Sequence, residues 1–89
     1  MTNDSPTLDF GAALNALRDG KRVQRAGWNG KGMWLRYVDL YNDKEFSLRE
    51  SSEAVGTWLP FIAMKTADNG LVPWVTSQAD VLARDWRVV

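Results

Sequence analysis

Five tryptophans stand in a chain of 89 residues: Trp28, Trp34, Trp58, Trp74 and Trp86. An indole offers a broad face for stacking and one N–H for a hydrogen bond, and it buries a large apolar area where it packs. Two of the five sit where core packing is not the default. Trp28 lies inside Gly27-Trp28-Asn29-Gly30-Lys31-Gly32, a run in which every second or third residue is glycine. Trp74 follows Pro73 and precedes the polar residues Thr76, Ser77 and Gln78. Aromatic rings beside small hydroxyl and amide groups suit a planar ligand: the ring stacks, and the polar groups fix orientation. They suit a protein interface as well, and packing into the core stays open for both. Trp34 and Trp86 fall in strand-like runs and are expected in the core.

The glycine run could cradle an anion through backbone N–H groups, with Arg25 and Lys31 close by. It lacks the spacing of a P-loop, and no GxGxxG turn follows a strand. On spacing alone a plain hairpin loop is the better reading. Asp68, Asp80 and Asp85 invite an acid–base interpretation. Structural roles fit them more simply: Asp68 in a turn, Asp80 at a helix cap, Asp85 near a helix end. No catalytic pair is assigned. The chain has no histidine and no cysteine, which removes the commonest base near neutral pH, thiol nucleophiles and cysteine-based zinc sites. No acidic ladder has calcium-loop spacing. A non-enzymatic protein without metal or cofactor is expected.

These residues need elements to position them. Asp9 can cap a helix whose apolar residues Phe10, Ala13, Leu14 and Leu17 recur at helical spacing, and Gly20 can end it. Lys21 to Arg25 reads as a short strand, and Met33 to Leu40 as a second, aromatic-rich one. Asn29-Gly30 is a turn dipeptide. Leu59 to Lys65 reads as a strand that begins at Pro60 or lies at an edge. Ala67-Asp68-Asn69-Gly70 turns the chain into Leu71 to Val75. Ser77 can cap a short helix, with Asp80 reaching back as in a capping box. Asp85 to Val89 closes the chain as a strand. The fold class is α+β: an N-terminal helix on a mainly antiparallel sheet, with a short helix before the last strand. One domain spans residues 1–89, with a flexible stretch at 1–6 and a variable loop at 39–57.

Eleven basic residues balance eleven acidic ones, so no whole-domain field draws the protein to DNA or to a membrane. Bases dominate from Arg18 to Arg36 and acids from Asp39 to Glu53, as on an anion site, on complementary subunits or on a mixed solvated surface. No signal peptide and no membrane-spanning run is visible, so a cytoplasmic protein is expected. A domain this small is marginally stable alone, and without disulfides oligomerisation is the available remedy.

Three stretches resemble one small phage and prophage family. They are the opening from Asp9-Phe10-Gly11-Ala12-Ala13-Leu14 through Gly27-Trp28-Asn29-Gly30-Lys31-Gly32, the central Pro60-Phe61-Ile62-Ala63-Met64-Lys65-Thr66-Ala67-Asp68, and the closing Val72-Pro73-Trp74-Val75-Thr76-Ser77-Gln78-Ala79-Asp80-Val81-Leu82-Ala83-Arg84-Asp85-Trp86. The family is that of the second Thoeris anti-defence protein, a signal sponge. The likeness runs in order along nearly the whole chain and weakens across the middle segment. It implies a homotetramer with ligand pockets at subunit interfaces. The ligand implied is a cyclic ADP-ribose isomer, the Thoeris immune signal, with cyclic oligonucleotides as further ligands. The signal would be held in the host bacterial cytoplasm without being degraded. On that reading Trp28 and Trp74 stack on the base, Asn29, Thr76, Ser77 and Gln78 meet hydroxyls or base edges, and Arg25, Lys31 and the amides of Gly30 and Gly32 meet phosphate. Asp80 completes the candidate ligand-binding set. Two other readings remain: an enzyme using Asp80 or Asp85, and a single-stranded nucleic-acid or protein-interaction module with exposed aromatics.

Overall fold

In the computed structural model, residues 7–28, 32–39 and 59–89 are described. The expected turn at Asn29-Gly30, together with Lys31, the segment 40–57, Trp58 and residues 1–6, lies outside them.

Helix α1 runs over Phe10–Arg18. Its start is fixed by the Asp9 carboxylate, which accepts the Ala12 N–H at 2.9 Å. Its end is fixed by Gly20 at φ 88°. There Gly20 N–H donates to the Leu17 carbonyl at 2.9 Å and Lys21 N–H to the Ala16 carbonyl at 3.0 Å. This paired closure of a helix end needs a left-handed residue, which glycine adopts without a Cβ clash.

Five strands form one sheet: β1 (Val23–Arg25), β2 (Trp34–Val38), β3 (Phe61–Lys65), β4 (Leu71–Pro73) and β5 (Trp86–Val88). Their order is β4-β3-β2-β1-β5, and every pairing is antiparallel. The expected α+β class and antiparallel sheet are therefore both present. β3 starts directly after Pro60, whose missing N–H would break a ladder, and it lies inside the sheet rather than at an edge. The β3–β4 turn places Asn69 at φ 71°, with Asn69 N–H on the Thr66 carbonyl at 3.0 Å. β4 stops at Pro73, two residues short of the expected strand, although Trp74 N–H still reaches the Ile62 carbonyl at 2.9 Å.

Strand alternation turns Val23, Leu35, Tyr37, Ile62, Met64 and Trp86 toward α1. The buried centre there is Ala13, Leu17, Val23, Leu35 and Trp86. Trp86 is fully buried and is the largest side chain in it. Val38 and Ala63 are buried on the other face of the sheet. Trp34 is half-buried, with the Arg22 guanidinium 4.5 Å above its ring, a cation–π contact.

Helix α2 (Gln78–Leu82) joins β4 to β5. Ser77 caps it as expected: its hydroxyl oxygen accepts Asp80 N–H at 3.1 Å. The Asp80 carboxylate does not complete a reciprocal box, because Oδ1 faces Arg25 and Trp28 instead.

Candidate functional site

The site grows outward from Trp86. Its position at the head of β5, buried beneath α1, makes it a post against which other rings lean. Trp28 meets it edge-on with ring centroids 5.4 Å apart, and Trp74 meets it edge-on at 6.0 Å. Phe10 of α1 closes the group, 5.6 Å from Trp86 and 6.1 Å from Trp74. Edge-to-face contacts of this kind add about 0.5–1.5 kcal/mol each beyond burial. Trp28 and Trp74 stay half-buried. Neither is sealed into the core, and neither is a free loop residue.

On the Trp28 side the sheet end is polar. Arg25 Nε donates to Asp85 Oδ1 at 2.8 Å, and Arg25 Nη1 donates to Asp80 Oδ1 at 2.8 Å. The same Asp80 oxygen accepts the Trp28 indole N–H at 3.3 Å. The Asp80 carbonyl accepts the Trp86 indole N–H at 3.0 Å. One residue of α2 thus holds two of the three indoles. Asp85 Oδ2 accepts the Gly27 N–H at 2.9 Å. A Cβ at Gly27 would stand 3.1 Å from that oxygen, so glycine is what allows this approach.

The ion pairs shift all three groups. Hydrogen bonds to Asp85 and then Asp80 raise the Arg25 pKa, so the guanidinium is charged throughout. Arg25 and the Gly27 amide hold the Asp85 carboxyl below its ordinary range, against the opposing pull of burial. Burial alone would raise Asp80, but hydrogen bonds from Arg25, Trp28 and Ser77 outweigh it and lower its pKa. Both carboxylates are ionised at neutral pH.

On the Trp74 side lies an open groove of about 420 Å³, within the range of small-molecule pockets. Phe10, Leu14 and Arg18 line it from one stripe of α1, Tyr37 and Phe61 from the sheet, and Trp74 and Thr76 from the segment after β4. The walls are apolar and aromatic, with the Arg18 cation at the rim.

The sequence-derived candidates therefore divide. Arg25, Trp28 and Asp80 come together in the polar corner. Trp74 and Thr76 come together in the groove. Ser77 spends its hydroxyl on the α2 cap, the Thr76 hydroxyl donates to the Ser77 carbonyl at 3.0 Å, and Gln78 is exposed on the first turn. Asn29, Gly30 and Lys31 lie outside the described residues. Sequence reasoning missed Phe10, Leu14, Arg18 and Tyr37 as lining groups. The i, i+4, i+8 spacing of the first three was the available signal, since it puts them on one stripe of α1. Asp85 stands just past the end of α2, as expected; its bond to Arg25, 60 positions away, was missed.

Among the described residues no cluster of three or more acidic side chains could hold a metal ion. No described helix is long and apolar enough to cross a membrane. The model of the Thoeris anti-defense 2-like domain matches residues 8–89. The protein named Thoeris anti-defense 2 of Bacillus phage SP01 is 45% identical over 86 residues, covering 92% of this chain and 94% of the phage protein. A match over most of both sequences, including every element that builds the aromatic group, places the chain in a family: it belongs to the Thoeris anti-defense 2-like proteins.

Proposed function

We propose that this protein inhibits bacterial Thoeris defence in the host cytoplasm by holding the defence signal, a cyclic ADP-ribose-type nucleotide, without converting it. One observation carries the reading: two half-buried indoles, Trp28 and Trp74, lean on a common buried ring beside an open aromatic groove. Such a surface offers stacking faces for a base. Stacking of a base on an aromatic side chain is worth about 1–3 kcal/mol. The Thr76 hydroxyl and the Arg18 cation at the groove suit ribose and phosphate groups.

A sponge has to outcompete an effector at low signal concentration. A nanomolar Kd corresponds to about −12 kcal/mol, a large demand on an open groove of one small subunit. A homotetramer with pockets closed between subunits meets it more readily. Exposed apolar side chains support self-association: Leu71 and Val72 on edge strand β4, Val75 beyond it, Leu82 on α2 and Val88 on edge strand β5. Cyclic oligonucleotides, which share bases and phosphates, are further ligands of the same chemistry.

The test is a retention assay. The protein is mixed with a cyclic ADP-ribose isomer, freed of unbound ligand by gel filtration and heat-denatured, and the supernatant is weighed by mass spectrometry. Intact ligand is the expected result. A product of different mass would make the protein an enzyme, and an empty supernatant would end the sponge reading. Elution of the unliganded protein at the mass of four subunits is the expected companion result.

A further inference from the structure

Arg25 was a candidate phosphate ligand on sequence grounds, yet its guanidinium is committed elsewhere. Nε and Nη1 each donate at 2.8 Å to a carboxylate, and Nη2 reaches Asp85 Oδ2 at 3.4 Å. The two carboxylates in turn hold the turn that carries Trp28: Asp85 takes the Gly27 amide, and Asp80 takes the Trp28 indole N–H. The main chain adds two bonds to the same seam, Ala26 N–H to the Asp85 carbonyl at 2.9 Å and Trp28 N–H to the Arg25 carbonyl at 3.2 Å. An indole placed by its N–H and by one ring edge has little rotational freedom left. We infer that Arg25, Asp80 and Asp85 are positioning residues that set the plane of the Trp28 ring for ligand stacking, and that Arg25 is not itself a phosphate contact.

Geometry separates this device from a merely stabilising ion pair. A pair that only tied β1 to the α2–β5 turn would have no need of the Gly27 amide or the Trp28 N–H. Here the guanidinium, the Gly27 amide and the Trp28 indole all converge on two carboxylates, and the crowding at Gly27 shows how closely the turn approaches Asp85. The guanidinium fork matters as well. A lysine ammonium is a point charge and cannot present parallel donors to one carboxylate while reaching a second. Binding tolerates poor orientation badly, since each degree of freedom frozen only on association subtracts from affinity. The inference rests on the ligand-retention reading for its functional half; its structural half stands without ligand.

Two measurements test the halves separately on the full-length protein. In the first, ¹⁵N-labelled protein without ligand is followed by the solvent exchange of its indole N–H groups, with Trp28→Phe identifying the Trp28 signal. Asp85→Asn and Arg25→Lys are expected to speed Trp28 indole exchange about tenfold or more, the loss of one charge-assisted bond, while the Trp86 indole stays protected. Gly27→Ala, which pushes on Asp85 Oδ2 without removing any charge, is the second route and is expected to do the same. Unchanged Trp28 exchange in these variants would overturn the inference. In the second, Kd for the cyclic ADP-ribose isomer is measured against ionic strength. Arg25→Gln is expected to weaken binding about tenfold with the salt dependence of the wild-type protein retained. Loss of that salt dependence would make Arg25 a direct phosphate contact and overturn the assignment. Should the wild-type protein retain no nucleotide, the sponge reading fails by itself, and the exchange measurement still decides the positioning role.

Discussion

The two sides of Trp86 place an indole by opposite means. The Trp28 corner is polar: a guanidinium, two carboxylates and a backbone amide fix the ring by hydrogen bonds. The Trp74 groove is apolar: Phe10 packs on the ring, Leu14, Tyr37 and Phe61 line the same groove, and Arg18 supplies a cation at the rim. Hydrogen bonds specify direction, and each is worth little net once solvent competition is counted. Apolar contact is directionless and scales with area. On the proposed reading the corner orients a ligand and the groove supplies contact. Trp86 couples them, since both indoles stand edge-on against it.

Removing that coupling has the largest expected effect. Trp86→Ala deletes the largest fully buried side chain together with the bond from its indole to the Asp80 carbonyl. Truncating a buried tryptophan costs about 3–5 kcal/mol, a large share of the roughly 5–15 kcal/mol that holds small domains folded. The urea midpoint is expected to collapse, and ligand retention with it. A variant with the wild-type midpoint would mean that the two sides stand independently.

The contrast is sharpened by a smaller change made on both sides. Trp28→Phe keeps an aromatic face and loses the N–H that reaches Asp80; Trp74→Phe keeps most of the apolar contact. If orientation matters in the corner and area in the groove, Trp28→Phe weakens nucleotide binding about fivefold, roughly 1 kcal/mol. Trp74→Phe should then cost less than about threefold. The reverse order in a calorimetric titration would exchange the roles of the two sides. Full truncation, Trp28→Ala, is expected to weaken binding about 5- to 150-fold while leaving the far-ultraviolet circular dichroism largely intact.

Much of this arrangement can be read along the chain, and the limit has a physical cause. The ends of α1 follow from Asp9 and Gly20, because capping is chemistry between residues three or four apart. The start of β3 follows from Pro60, and the Ser77 cap from its spacing to Asp80. Trp86 reads as core from its place in a strand. The middle category that Trp28 and Trp74 occupy, half-buried and leaning on a third ring, is not a property of any local window. Nor is the convergence of Arg25 on Asp80 and Asp85, 55 and 60 positions away. It exists only because β1 pairs with β5, a register that Arg25 and Asp85 do not declare by themselves. The spacing of Asp80 from Ser77 suggested a capping box, and the long-range guanidinium won the competition for that carboxylate, a charged donor being stronger than a backbone amide.

Arg18 separates the sides electrostatically. It stands exposed on the last turn of α1 at the rim of the groove. Arg18→Ala is expected to leave stability within about 0.5 kcal/mol, as exposed substitutions do. Nucleotide binding should weaken severalfold at low salt and differ little from wild type near 1 M salt, where the screening length is about 3 Å. A loss equally large at both salt concentrations would mean that Arg18 acts through packing.

The smallest expected effect concerns pH, and it falls on the corner alone. Asp80 and Asp85 are held below the carboxylate range by Arg25 and its neighbours. A carboxylate with a depressed folded-state pKa stabilises the fold above its unfolded value, about 3.9 for aspartate. That contribution is complete at neutral pH and is lost as acid protonates the group in the folded state. The side chains of Arg25, Asp80 and Asp85 are 23%, 16% and 33% exposed, so solvent screens the pairs and each is worth about 0.2–1 kcal/mol. On acidification from pH 6 to pH 3 the wild-type melting temperature should therefore fall further than that of Arg25→Met, by about 4 °C for a domain of this size. Asp68, lowered chiefly by its Thr66 hydrogen bond, is common to both proteins and cancels in the difference. The groove contains no carboxylate among its lining residues, so Trp74→Phe should follow the wild-type pH profile. Parallel profiles for wild type and Arg25→Met would show that the corner gains no stability from its charges, leaving orientation of the indole as their remaining effect.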